Sequence, residues 1–129
     1  MPATGVTFWA HIIPPSQGDP ATYVEFLADA KSISFSESGG GHDCNVDFAV
    51  FMVGRNGNVN NLVIQSVDTP LPDAQYASVR KRGLPFRMQI KALPKEGDLR
   101  LAVRDNRTGL LGTLTIPIAS GSLQAGVAR

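Results

Sequence analysis

Along residues 43–53 the side chains alternate in type with a period of two. Cys44, Val46, Phe48, Val50 and Met52 fall on one side and Asp43, Asn45 and Asp47 on the other. An extended strand puts every second side chain on the same face, whereas a helix needs apolar residues three and four apart, so this stretch reads as a β-strand. Its second side turns apolar at Ala49, Phe51 and Val53, which predicts cover on both faces at that end.

The same alternation recurs from end to end. In residues 5–13, Val6, Phe8, Ala10 and Ile12 oppose Thr7, Trp9, His11 and Ile13, and Pro14-Pro15 stops the strand by removing two ladder donors. In residues 22–28, Val24, Phe26 and Ala28 oppose Tyr23, Glu25 and Leu27. Residues 32–37 add Ile33 and Phe35, read as the continuation of one long strand bent near Ala30-Lys31, with Gly39-Gly40-Gly41 as a flexible tip. Gly54-Arg55-Asn56-Gly57 predicts a hairpin, because Asn and Gly tolerate positive φ. The returning strand, residues 58–67, carries Val59, Leu62, Ile64 and Val67 as its apolar set, with a slip of phase near Asn60-Asn61. Residues 84–93, 99–104 and 110–118 complete the strands, separated by turns at residues 94–98 and 105–109.

One segment breaks the rhythm. Pro72-Asp73 before residues 74–82, basic residues at Arg80, Lys81 and Arg82, and Gly83 beyond are start and stop signals for a helix of about two turns. Tyr76, Val79 and Ala77 are its expected inner side. The fold class is therefore all-β: an immunoglobulin-like antiparallel β-sandwich of seven or eight strands with one short helical crossover. Residues 1–118 form a single domain and residues 119–129 a flexible tail. A chain of 129 residues with 43% apolar and 18% charged residues can build that core without a disulfide or metal, and its one cysteine offers no internal disulfide.

Tyr76, Arg82-Gly83-Leu84-Pro85-Phe86, residues 99–105 (Leu-Arg-Leu-Ala-Val-Arg-Asp), residues 108–114 (Thr-Gly-Leu-Leu-Gly-Thr-Leu) and Pro117 carry a family likeness. With Tyr23-Val24-Glu25-Phe26, Ile33-Ser34-Phe35 and the hairpin of residues 46–57, the chain resembles the C-terminal immunoglobulin-like domain of the von Willebrand factor A-related proteins of acidobacteria over residues 5–118. The resemblance implies a secreted bacterial parent, located outside the cell or in its envelope, with a metal-binding A-type domain upstream. The Asp-x-Ser-x-Ser metal motif of that domain does not occur in this chain, so no metal residue is carried over. Gly54-Arg55 departs from the acidic residue the family often shows there. Residues 1–5 lack the basic and apolar regions of a signal peptide, so the chain is either cytoplasmic or a piece whose leader lies upstream, and the resemblance favours the second. Independently of any family, Asp105 can accept backbone N–H groups across its turn and Gly109 can take positive φ, which locks the hairpin.

Few residues suggest chemistry. His42 and Cys44 resemble a base and a nucleophile, but i,i+2 neighbours on a strand stand ~7 Å apart, and Cys44 continues an apolar face. Asp43, Asn45 and Asp47 have a calcium-like spacing, but Phe48 and Gly54 stand where an EF-hand loop needs Gly and Glu. Arg80, Lys81, Arg82 and Arg87 are basic without interleaved aromatics, and the net charge is +1, so nucleic acid is not an expected partner. Asn106-Arg107-Thr108 matches a glycosylation sequon by composition alone. No apolar stretch approaches a membrane span. Trp9 and His11 on the second face of the first strand, and His42 in the loop of residues 37–42, are the candidate ligand-binding residues. Trp9 is itself expected to be covered, by a second sheet, the helix or a neighbouring domain. The chain is read as non-enzymatic and without cofactor: a structural or adhesion-type accessory module of a larger secreted protein. The alternative is a carbohydrate- or peptide-binding sandwich. Expected partners are other domains of the parent, another protein chain or a glycan.

Overall fold

The computed structural model describes residues 5–38, 41–54, 56–90, 97–118 and 126–128. Ten strands are seen among them: β1 (Phe8–Ile13), β2 (Thr22–Ala28), β3 (Ser36–Ser38), β4 (Gly41–Asp43), β5 (Val46–Val53), β6 (Val59–Val67), β7 (Leu84–Ile90), β8 (Asp98–Asp105), β9 (Leu111–Pro117) and β10 (Gly126–Ala128). The helix α1 spans Asp73–Arg82. Two four-stranded antiparallel sheets, ordered β10-β1-β2-β7 and β6-β5-β8-β9, form a sandwich, with β3-β4 as a separate hairpin. The all-β sandwich inferred from alternation is thus the observed fold, with more strands than the seven or eight expected. The extra ones are three-residue pieces too short to show a period.

The core is the alternation made solid. Val6, Phe8, Ala10 and Ile12 face Val46, Phe48, Val50 and Met52 through a shared cluster that also takes in Val24, Phe26, Leu99, Leu101 and Val103. Four phenylalanine rings run across it. Phe8 and Phe26 lie 5.8 Å apart, Phe26 meets Phe48 edge-on at 5.1 Å, and Phe48 stacks on Phe86 at 4.5 Å. Such contacts add about 0.5–1.5 kcal/mol each beyond area burial.

The structure corrects several expectations. Residues 22–37 are not one bent strand. After β2, Asp29 caps a single 3-10 turn, Ala30–Ser32, and the chain leaves the sheet. Residues 43–53 are likewise broken: Asp43 ends β4, Cys44 and Asn45 connect, and β5 starts at Val46. Val53 and Phe51 are half-buried rather than covered. Of the apolar set expected on β6, Val67 packs on the core, whereas Val59, Leu62 and Ile64 are exposed and Val63 packs inward instead. The pairing explains it. Val50 faces Val63 but Met52 faces Asn60, so Asn61 and Leu62 together oppose Phe51 in a bulge at the expected slip. The buried phase of β5 then dictates that of β6. Ala77 is exposed, whereas Val79 is buried and Tyr76 partly so. Of residues 119–129, expected to be a tail, Gly126–Ala128 pairs with β1. The expected strand end and turn at residues 91–96, and Gly39-Gly40 of the tip, lie outside the described residues.

Candidate functional site

The outer face of the β1-β2-β7 sheet is built by register. Trp9 pairs with Leu27 and Leu27 with Pro85; His11 pairs with Glu25 and Glu25 with Arg87; Ile13 pairs with Tyr23 and Tyr23 with Gln89. Because alternate side chains point away from the core, these nine form three rows on one surface. The first row is apolar. Trp9 is 42% exposed, so neither the second sheet nor the helix of this chain covers it as expected. Beside it lies a shallow cavity of about 270 Å³ lined by Trp9, His11, Glu25, Leu27 and Pro85, with Ala10 and Phe26 beneath.

The second row is a chain of charge. Glu25 accepts from Arg87 at 2.7 Å and 3.3 Å through Nη2 and Nε, and its other oxygen lies 3.6 Å from His11 Nε2. Arg87 also reaches the third row, standing 5.5 Å from the Tyr23 ring centroid, and the Tyr23 hydroxyl donates to Asp19 at 2.8 Å. The backbone N–H of Ala21, foremost, and the Tyr23 hydroxyl hold the Asp19 carboxyl below its usual range. The same hydrogen bond pushes the Tyr23 phenol upward, since its ionised form would face a carboxylate. The hydrogen bonds hold Arg87 on Glu25 and Tyr23 on Asp19, with His11 alongside Glu25. Glu25, Leu27, Pro85 and Arg87 were not singled out from the sequence. Their alternation was visible, but only strand register brings β7 beside Trp9.

His42, the third candidate, sits elsewhere. It lies on β4, its Nε2 is 2.8 Å from Asp73 Oδ1, and its ring stacks on Tyr76 at 3.7 Å. It does not join Trp9 and His11. Cys44 is buried, and desolvation foremost, with Asp105, Asp43 and Asp68 adding repulsion, pushes its thiol up to about 11. A thiol so rarely ionised is a poor nucleophile near neutral pH. The calcium-like residues are dispersed: Asp47 accepts from Ser66 and Asn45 from Asn106 at 2.9 Å. Among the described residues no three His, Cys, Asp or Glu side chains gather where they could hold a metal. The basic cluster divides, Arg87 joining Glu25 and Arg80 lying over Tyr76. No helix among the described residues is long and apolar enough to cross a membrane.

The arrangement offers an exposed aromatic plane in an apolar hollow, flanked by a row of hydrogen-bonding groups in which Arg87 is paired with Glu25. Comparison with family models, with curated proteins and with solved structures returned no match.

Proposed function

We propose that the chain is a non-catalytic binding module that docks carbohydrate on the outer face of the β1-β2-β7 sheet. The observation that carries this reading is the exposure of Trp9 beside the hollow it forms with Leu27 and Pro85. A sugar ring has an apolar C–H face that stacks on an indole and an equatorial rim of hydroxyls that seek fixed donors and acceptors. Trp9 supplies the first; His11, Glu25 and Arg87, one row away, supply the second. The platform is a paired strand rather than a loop, so little ordering entropy is lost on binding.

In this proposal the module serves as an accessory part of a larger secreted protein, as the likeness to the von Willebrand factor A-related proteins of acidobacteria implies. The strand order β6-β5-β8-β9 supports the immunoglobulin-like assignment, since it parallels the C′-C-F-G sheet of that fold. The exposed side chains of Val59, Leu62 and Ile64 favour an adhesion or structural contribution from the other sheet as well.

Acrylamide quenching of Trp9 in the presence of a panel of soluble glycans tests the proposal. At least one glycan shields Trp9 saturably, and Trp9→Ala abolishes binding; a cooperative urea transition retained by the variant separates that loss from unfolding. Quenching that no glycan alters would sink the reading.

A further inference from the structure

A second hollow lies between the 3-10 turn and α1. It encloses about 250 Å³ and is lined by Ala30, Lys31, Ile33, Phe35, Tyr76 and Arg80. None of these belongs to the Trp9 face, and none was expected to bind anything. We propose that this hollow is a binding site for a small aromatic carboxylate.

Charge makes the first part of the case. Lys31 and Arg80 are the charged residues of the lining, and no carboxylate lies among them. Among the described residues neither cation is found in an ion pair. Asp29 accepts the Lys31 backbone N–H at 3.1 Å and Asp73 faces His42, and neither carboxylate lines the hollow. Two cations at the mouth of one hollow favour a single negative charge, and a guanidinium pairs with a carboxylate through parallel hydrogen bonds.

The walls make the second part. Ala30 and Ile33 are buried and form an apolar floor. Phe35 meets Tyr76 edge-on at 5.1 Å, and Arg80 lies 5.8 Å from the Tyr76 centroid. Beyond the two cations and the Tyr76 hydroxyl, the lining offers no polar side chain. A flat ring can lie against Phe35, Tyr76 and Ile33 while its carboxylate reaches Lys31 and Arg80. The volume falls just below that of drug-sized sites, about 300–1,000 Å³, and so suits one ring with a short substituent.

The hollow is also held open in advance. His42 lies flat on Tyr76, tilted by 7°, and is tied to α1 through Asp73. The turn bearing Lys31 is locked by Ser32, whose hydroxyl donates to the Asp29 carbonyl at 2.7 Å and accepts from Thr7 N–H at 3.1 Å. His42 thus acts at this second site as a buttress for Tyr76.

Titration with benzoate, followed by amide chemical shifts, tests the proposal. Saturable shifts are expected at residues 30–35 and 76–80. Benzamide, with the same ring and no charge, and glucuronate, with the same charge on a hydroxylated ring, should each bind about tenfold or more weakly. The Lys31→Gln/Arg80→Gln double variant, altered only at exposed positions, should lose a similar factor. Absence of saturation, glucuronate or benzamide equal to benzoate, or a double variant that binds unchanged would overturn it. The ligand comparison on the unaltered protein decides the matter even if the variant does not fold. Because no residue is shared with the Trp9 face, this result and the glycan result stand or fall separately.

Discussion

Tyr23 and Asp19 show how one hydrogen bond acts on two titrations in opposite directions. Asp19 is held low, so the stability it adds is present above the ordinary carboxylate range and fades as pH falls through its depressed value. Tyr23 is held high, so its share is present below the ordinary phenol range and is lost as pH rises through its raised value. In a Tyr76→Phe background, the remaining phenol should titrate above pH ~10, the ordinary tyrosine value. Asp19→Ala should bring it back down, as read by ultraviolet absorbance; an unmoved titration would remove Asp19 as the cause. Neither partner is visible as a pair in the sequence. They are four residues apart across a turn closed by Ser16 and Asp19, a spacing that means nothing until the turn exists. Trp9 was legible as an outward residue of an alternating strand. Its exposure was not, because whether an outer face is covered depends on elements far along the chain.

The turn after β8 and the start of β9 carry much of the order between elements. Asp105 is fully buried, yet its carboxylate accepts from Ser34 N–H at 2.7 Å and Arg107 N–H at 3.0 Å. Its own N–H and C=O pair with Leu110 and Gly109, and Gly109 has φ 79°. The sequence motif foretold the hairpin lock but not Ser34, which is 71 residues away. Asp105→Ala strands two donors and should cost about 2–6 kcal/mol in urea unfolding, since each unpaired buried polar group costs about 1–3 kcal/mol. Gly112 works differently. A Cβ there would overlap the Val6 carbonyl oxygen and crowd Phe8 at 3.3 Å, so β9 and the lead-in to β1 approach closely only because the side chain is absent. Gly112→Ala should destabilise by at least the 1–3 kcal/mol or so typical of overpacking. A variant as stable as the parent would mean that this approach is not required. The bulge in β6 marks where local reading fails on physical grounds. The slip near Asn60-Asn61 was visible, but the side chains it turns inward follow from the buried phase of β5, which a single strand does not contain.

For the molecule as a whole, the sandwich class was legible because two faces per strand and antiparallel turns leave few alternatives. The short hairpin β3-β4 and the three-residue β10 were not, because each holds its place by pairing rather than by pattern. Cys44 lies within the core cluster, with its thiol pushed up to about 11. Its labelling by a thiol reagent at neutral pH should therefore run slowly in water and accelerate in step with global unfolding across a urea series. Rapid labelling of the native chain would place the thiol at the surface instead. The exposed position of Trp9, the only tryptophan, has a practical corollary. Its emission comes from an indole already partly in contact with solvent, so loss of the sandwich should shift the spectrum less than for a fully buried indole, and a fluorescence melt under-reports unfolding. The chain thus carries two native reporters of opposite kinds: the indole sees what arrives at the outside, and the thiol sees when the inside opens.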